Sequence, residues 1–335
     1  MIRRIKGTYD ILPEESIKWQ YIEDIMRKVA KIFNFSEIRT PIFETSELFH
    51  RSVGESSDIV KKETYDFIDR GQRSNTLRPE GTAPVVRAYI ENKLYADPIQ
   101  PQKLFYFGPM FRYERPQKGR QRQFHQFGAE ILGSASPLVD VEVINYAHTF
   151  LHALNIKDTV VKINTLGDQS SKKKYKEVLK SYLKPNIHEL CGDCQHRFED
   201  NPLRVLDCKV DQSHPLLLNA PKPIDYLSDQ ARYHFDHVIQ GLKALEIDFE
   251  IDSNLVRGLD YYTHTVFEIL SESGQLGSQS TLGGGGRYNH LVEELGGPDV
   301  PAVGFAFGVE RLLLALDESL QNKQLNGIHA FFISL

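Results

Sequence analysis

At 335 residues the chain is long for one domain and short for three, so two domains with room for a small insertion are expected. Apolar residues at 41% and charged residues at 25% mark a globular chain and exclude disorder, collagen and coiled coil. A formal net charge of −5 excludes a broadly basic protein, so any contact with nucleic acid has to come from a local patch. Three cysteines make no disulfide framework, the N-terminus lacks an apolar stretch behind its charges, and no run reaches the length that spans a bilayer. A reducing, cytoplasmic setting and no membrane are expected.

In chain order, Ile17, Tyr21, Ile22, Ile25, Met26, Val29 and Phe33 recur at helical spacing and predict a helix over 14–33, with Pro13 where a helix start tolerates it. Residues 37–43 read as a strand whose Pro41 suits a strand end or an edge facing another subunit. Residues 103–107 and 124–132 alternate apolar and polar and predict a long antiparallel hairpin with a basic tip; 138–154 reads as a helix. Ser170–Leu183 is a lysine-rich amphipathic helix, followed by an irregular stretch with all three cysteines and five prolines through Pro223. Residues 166–231 are therefore expected to form a separate inserted lobe. From Ala231 a helix, strands at 248–252 and 264–270, a glycine-rich segment, and a strand and helix over 302–316 are expected. Hairpins with helices before and after them predict an α+β fold on an antiparallel sheet, not a parallel doubly wound one. A polar linker then leads into 327–335, which reads as one strand that either joins the main sheet or begins a further domain.

The tip of the hairpin is the most informative segment. Residues 112–122 hold five basic groups and one acid, with Phe105, Tyr106, Phe107, Phe111, Tyr113, Phe124 and Phe127 on the arms. Arginine forks suit phosphate oxygens and aromatic faces can stack a base, although a solvated loop over an aromatic sheet has the same composition. The run Gly283–Gly286 is neither a P-loop nor a dinucleotide fingerprint, and signals a backbone that passes close to a ligand or a neighbouring strand. Cys191-x2-Cys194 and Cys208, with His188, His196 and His214 nearby, hold the inventory of a Cys3His zinc site, but no second cysteine pair follows. Three reduced thiols packed in a small lobe are the alternative. No cysteine falls in the hairpin tip, the glycine run, the 257–262 segment or Glu310-Arg311, so metal removal is expected to leave the chemistry of those segments unchanged. Arg257-Gly-Leu-Asp260-Tyr261-Tyr262 sets an arginine, an acid and two phenols beside a strand, and Glu310-Arg311 stands where an apolar strand enters an apolar helix.

Phe111-Arg112-Tyr-Glu114 with Arg120-x3-Phe124, and Gly304-Phe-Ala-Phe-Gly308-Val-Glu310-Arg311, resemble motifs 2 and 3 of class II aminoacyl-tRNA synthetases; the helix and strand ending at Pro41 resemble motif 1. The segments 255–268 and Gly283-Gly-Gly-Gly-Arg-Tyr288 resemble the two particular to the histidyl-tRNA synthetases, and the resemblance runs from Gly7 onward. It implies an enzyme that joins L-histidine to ATP, releasing pyrophosphate, and then passes the histidyl group to the end of tRNA(His). It also implies a homodimer and Mg2+ with the ATP.

By position, the resemblance makes Arg112, Arg257 and Arg311 catalytic, with Arg112, Glu114, Phe124 and Arg311 on ATP. Glu80, Thr82, Arg112, Gln126, Glu130, Arg257, Tyr261, Tyr262 and Tyr288 fall to histidine, and Arg115, Gln117 and Arg120 to the tRNA acceptor end. Asp260 is expected to hold Arg257 in the empty site. The implied domains are a catalytic domain over 1–165 and 232–320, an insertion domain over 166–231, and at 321–335 a linker with the first strand of an anticodon-binding domain, as in a catalytic fragment. The other reading is the histidine-sensing regulatory paralogue of ATP phosphoribosyltransferase, in which the arginines facing ATP should have eroded; here Arg112, Arg257 and Arg311 are present.

Overall fold

The computed structural model describes residues 2–53, 59–272 and 280–316, so the expected strand at 327–335 lies outside the described residues. Helix α1 (Pro13–Ile32) opens on its proline with Glu14 and Glu15 in the first turn, where carboxylates meet the positive end of the helix dipole. Trp19, Ile22, Met26 and Val29, three and four apart, are its buried face. The strand expected over 37–43 is split. Ser36–Glu37 (β1) stays with the main sheet, and beyond Pro41, which has no N–H for a ladder, Phe43–Thr45 (β2) joins another sheet. That sheet is completed by Tyr65–Ile68 (β3) and Ser74–Leu77 (β4) in the order β2-β4-β3, beside α2 (Ser46–Val53) and α3 (Thr82–Glu91). None of these last four elements stands out as a periodic run in the sequence.

The hairpin is longer than its alternation suggested: Gln102–Phe111 (β5) and Gln123–Leu132 (β6) pair through ten positions, from Gln102 opposite Leu132 to Phe111 opposite Gln123. After α4 (Pro137–Ala153), the strands Thr159–Thr165 (β7), Phe249–Ile251 (β8), Thr263–Ser271 (β9), Thr281–Arg287 (β10) and Ala302–Gly308 (β11) complete the main sheet. Among the described residues its order is β1-β5-β6-β11-β10-β9-β7-β8, antiparallel except at the two outer pairs. The glycine-rich segment is thus a central strand. Its missing side chains let it fit between two others; a Cβ on Gly284 would stand 2.4 Å from the Phe267 carbonyl oxygen and 3.0 Å from Arg257.

Alternation divides the sheet into two faces. Phe105, Phe127, Phe267, Phe305 and Phe307 pack under α1, α4 and α8 (see below), whereas Tyr106, Met110, Val266 and the residues of the cavity face the other way. Residues 166–231 contain helices and 3₁₀ turns only: α5 (Gln169–Leu183), α6 (Gly192–Asp200) and α7 (Pro215–Leu218), returning to the sheet through α8 (Asp229–Ala244). Asp168 latches the two ends of this segment together, accepting from the Ser171 amide at 2.8 Å and the Ser228 hydroxyl at 2.5 Å. The apolar core of the segment is continuous with the cavity face, since Tyr175, Leu179 and Cys194 share one cluster with Tyr261, Tyr262 and Tyr288. The helices α9 (Leu291–Glu294) and α10 (Val309–Ala315) follow β10 and β11.

Candidate active site

A cavity of about 440 Å³ opens on the face of the sheet away from α1, α4 and α8. Period-two alternation carries Phe124, Gln126 and Glu130 of β6, Glu268 of β9, Gly284 of β10 and Gly304 and Ala306 of β11 onto its floor. Of the residues singled out from the sequence, the structure gathers Arg112, Glu114, Arg120, Phe124, Arg257 and Arg311 into the wall, together with Glu80, Thr82, Gln126, Glu130, Tyr261, Tyr262 and Tyr288. Arg115 and Gln117 are exposed on the hairpin tip, outside the cavity.

One end is cationic. The Arg112 Nε donates to the Pro79 carbonyl oxygen at 2.8 Å, and its guanidinium lies 5.2 Å from the centroid of the Phe124 ring. Glu114 accepts from Arg120 at 3.0 Å. Arg311 donates from Nη1 to the Thr281 carbonyl oxygen at 2.6 Å, and burial together with the neighbouring Arg120 pulls its pKa below the usual arginine range. Several guanidiniums that hold one another's charge in check are suited to a polyanion. Arg257 is ion-paired with Glu268, and not with Asp260 as the sequence suggested; Asp260 Oδ1 accepts from Asn201 at 2.8 Å. The strand register explains the exchange, because Glu268 sits directly opposite Gly284, whose bare backbone leaves room for the guanidinium.

The other end is built from buried carboxyls and phenols. Glu80 accepts from the amides of Thr82 at 2.6 Å and Ala83 at 2.8 Å at the start of α3. Glu130, 1% exposed, accepts from the Thr82 hydroxyl at 2.8 Å and the Tyr288 hydroxyl at 2.5 Å. Burial pushes the Glu130 carboxyl up to about 8, against the opposing pull of its bonds to Tyr288 and Thr82. Gly304 is required beside it, since a Cβ there would fall 1.6 Å from Glu130 Oε2. Gln126 Oε1 is buried with no hydrogen-bond partner among the described residues, an acceptor available to a ligand. The rings of Tyr261 and Tyr288 meet edge to face at 5.5 Å.

Structural pairs fix this arrangement from behind. Arg287, fully buried next to Tyr288, is paired with the equally buried Asp140 at 2.5 Å. Burial alone would raise the Asp140 carboxyl, but Arg287 and His234 hold it well below the usual carboxylate range. Glu310 accepts from the His125 amide at 2.9 Å and so pins the start of α10 to β6.

Sequence reasoning missed the contribution of the inserted segment. Arg204, Asp207 and Lys209 line the cavity, and Arg204 donates to the Gly258 carbonyl oxygen at 2.9 Å. Lys172 of α5 donates to the Asp260 and Tyr262 carbonyl oxygens at 3.0 and 2.7 Å, and burial pulls its pKa down to about 8. No local pattern marks these residues; only the fold brings them to the 257–262 loop. The three cysteines do come together, but their fourth neighbour is Asp211 and not a histidine.

A large, mostly antiparallel sheet flanked by helices, with this cavity on one face, is the fold of a class II aminoacyl-tRNA synthetase. The family model for histidyl-tRNA synthetase matches residues 7–312. The histidine–tRNA ligases of Anoxybacillus flavithermus and Bacillus subtilis are 55% and 53% identical over 331 residues, which is 98% of this chain and 78% of each relative. The apo histidyl-tRNA synthetase of Staphylococcus aureus superposes with a TM-score of 0.78 at 45% identity, over 95% of this chain and 74% of that one. A Bacillus halodurans structure described as an ATP phosphoribosyltransferase regulatory subunit/histidyl-tRNA synthetase has the same fold at 23% identity, with a TM-score of 0.69 over 95% of this chain and 84% of that one. The chain belongs to the histidyl-tRNA synthetase family. It is an enzyme that ligates histidine to tRNA at the expense of ATP, and the alternative of a histidine sensor is the less supported reading.

Proposed function

We propose that the cavity forms histidyl-adenylate with its two ends divided between the two substrates. The carrying observation is that one 440 Å³ space is lined both by Arg112, Arg257 and Arg311 and by Glu130, Thr82 and Tyr288. Arg112 and Arg311 grip the phosphates of ATP and Phe124 stacks on the adenine, with Glu114 facing the nucleotide. Glu80 takes the ammonium of histidine, Gln126 and Thr82 orient it, and Glu130, Tyr261, Tyr262 and Tyr288 enclose the imidazole. A carboxyl and a phenol facing two distinct ring nitrogens reject side chains that lack either.

In the first step a histidine carboxylate oxygen attacks the α-phosphorus, the bond to the bridging oxygen breaks, and pyrophosphate leaves with its electron pair. Charge grows on the α-phosphate oxygens, where Arg112 and Arg257 stabilise it; Arg257 must then leave Glu268 for phosphate. No protein nucleophile is needed. In the second step a hydroxyl of the terminal adenosine attacks the carbonyl carbon, the bond from that carbon to the phosphate oxygen breaks, AMP leaves with its electron pair, and the hydroxyl proton passes to solvent. Arg115 and Gln117, exposed on the tip, meet the acceptor end; Arg120 serves it from the cavity wall.

Mg2+ fits as a companion of ATP. Glu114 and Glu268 place carboxylates beside the arginines, enough for an ion held mainly by phosphates and water, and it would neutralise pyrophosphate charge. Residues 1–165 and 232–320 act as the catalytic domain and 166–231 as an insertion domain near the acceptor arm. A homodimer is supported by Ile42, Phe43, Phe67 and Ile68, all exposed, around the three-stranded sheet. Among the described residues no helix is long and apolar enough to cross a membrane. The cytoplasm is the setting that fits a bacterial-type histidine–tRNA ligase.

The test is histidine-dependent exchange of labelled pyrophosphate into ATP. Exchange that requires histidine is expected, and ATP-independent histidine binding without exchange would favour the sensor.

A further inference from the structure

The cysteines of the inserted segment form a more specific constellation than their count suggested. Two residues separate Cys191 from Cys194 at the start of α6, and the second pair, Cys208-x2-Asp211, begins fourteen positions after Cys194. The three sulfurs and one carboxylate oxygen all lie within 4.8 Å of one another. Cys194 and Cys208 are buried, and Cys191 and Asp211 half-buried.

Two of the separations match those between ligands of a tetrahedral zinc ion. Two thiolates about 2.3 Å from a zinc ion are about 3.8 Å apart, and a thiolate and a carboxylate oxygen at about 2.0 Å are about 3.5 Å apart. Cys191 Sγ and Cys208 Sγ are separated by 3.7 Å, and Cys208 Sγ and Asp211 Oδ2 by 3.5 Å. The sulfur separation is also far beyond the roughly 2.05 Å of a disulfide. Backbone amides support the ligand atoms as an outer shell does: the Asp211 N–H donates to Cys208 Sγ at 3.4 Å, and the Cys191 N–H to Asp211 Oδ2 at 2.9 Å.

We infer that Cys191, Cys194, Cys208 and Asp211 bind one Zn2+ and that this ion fixes the wall of the cavity formed by Arg204, Asp207 and Lys209. Soft thiolates in a closed four-ligand set select zinc among the divalent ions common in cells. Binding replaces the three thiol protons, which leave to solvent, and the carboxylate is already ionised. The ion would close the loop from residue 191 to 211. That loop contains Asn201, which holds Asp260, and Arg204, which holds Gly258, so its order is transmitted to the loop carrying Arg257. The sequence alone separates the cysteines from the catalytic motifs; in the fold Cys208 lies between two residues of the cavity wall.

The site itself does not depend on the roles assigned to the cavity; the link to the wall rests on that reading, and the experiment separates the two. Purified full chain is analysed for metal, and the apoprotein is titrated with Co2+ in the absence of substrates. One zinc per chain is expected, and cobalt should produce thiolate charge-transfer absorption with the visible bands of a tetrahedral site. Asp211→Ala should weaken zinc by more than the roughly 10–100-fold that an outer-shell partner is worth, read by chelator competition. Protein with well under one zinc and no cobalt absorption would overturn the site, leaving a thiol–carboxylate hydrogen-bond cluster. In the zinc-bound enzyme, chelation should speed proteolytic cleavage within 191–211 and slow pyrophosphate exchange, and added zinc should reverse both. Zinc that binds but leaves cleavage and exchange unchanged on removal would overturn the link to the cavity wall.

Discussion

The two ends of the cavity rest on the same sheet but solve opposite electrostatic problems. At the phosphate end Arg112, Arg120 and Arg311 stand close enough for burial and mutual repulsion to lower the pKa of Arg311. At the imidazole end burial forces the Glu130 carboxyl up to about 8, although Tyr288 and Thr82 both donate to it. One end gathers guanidiniums around Glu114 and Glu268 for a substrate that brings negative charge. The other keeps a carboxyl poised between neutral and ionised for a ring that itself titrates near neutrality. The proposed function gives chemistry to the first end and selection to the second.

The largest expected effect separates rate from recognition. Arg257→Ala should lower the rate of adenylate formation by about 10²–10³, the cost of removing a donor aimed at developing charge. Arg257→Lys should restore only part of it, since a point charge cannot reproduce a fork held against Glu268 in the resting enzyme. Single-turnover formation of adenylate measures both.

At the other end, Glu130→Gln should weaken histidine binding by roughly 10–100-fold, as expected when a buried polar partner is left mismatched. The same variant has a pH signature without substrate. Between the ordinary carboxylate range and about pH 8 the folded enzyme keeps a proton on Glu130 that the unfolded chain has lost. The contribution of this group to stability is therefore complete at low pH and falls as pH rises through that window. Glu130→Gln should flatten the fall, leaving the variant relatively more stable above pH 8, as read from Tm against pH.

A smaller effect is expected where the inserted segment supports both ends. Lys172→Met removes the two bonds to the Asp260 and Tyr262 carbonyl oxygens and should raise KM for histidine by about 3–10-fold with little change in kcat. An equal fall in kcat would place Lys172 in the chemistry and blur the division.

How much of this was legible follows from how each part is held. Strands β5, β6, β9 and β11 and helices α1, α4, α5 and α8 showed in apolar spacing, because each buries one face. The glycines of β10 could be recognised as a close approach but not as a central strand, since a residue without a side chain leaves no alternation. Pro41 marked an edge, but that the strand breaks there and feeds a second sheet depends on pairing with β4. Arginines and phenols of the cavity were visible through motifs, whereas the partner of Arg257 was misread because Glu268 is brought opposite Gly284 only by register. Lys172, Arg204, Asp207 and Lys209 act through distant carbonyls and the cavity wall, which no local pattern encodes. Asp211 could have been found by allowing a carboxylate at the fourth place of a paired-ligand spacing.

The division of labour is tested most directly by crossing the two measurements on the two variants. Equilibrium histidine binding and single-turnover adenylate formation at saturating histidine are measured for Arg257→Ala and Glu130→Gln side by side. Arg257→Ala should bind histidine nearly as the parent does while its rate falls about 10²–10³, and Glu130→Gln should lose affinity while recovering most of its rate at saturation. If Arg257→Ala loses histidine binding and keeps its saturated rate, the guanidinium belongs to the amino-acid pocket and the account is contradicted.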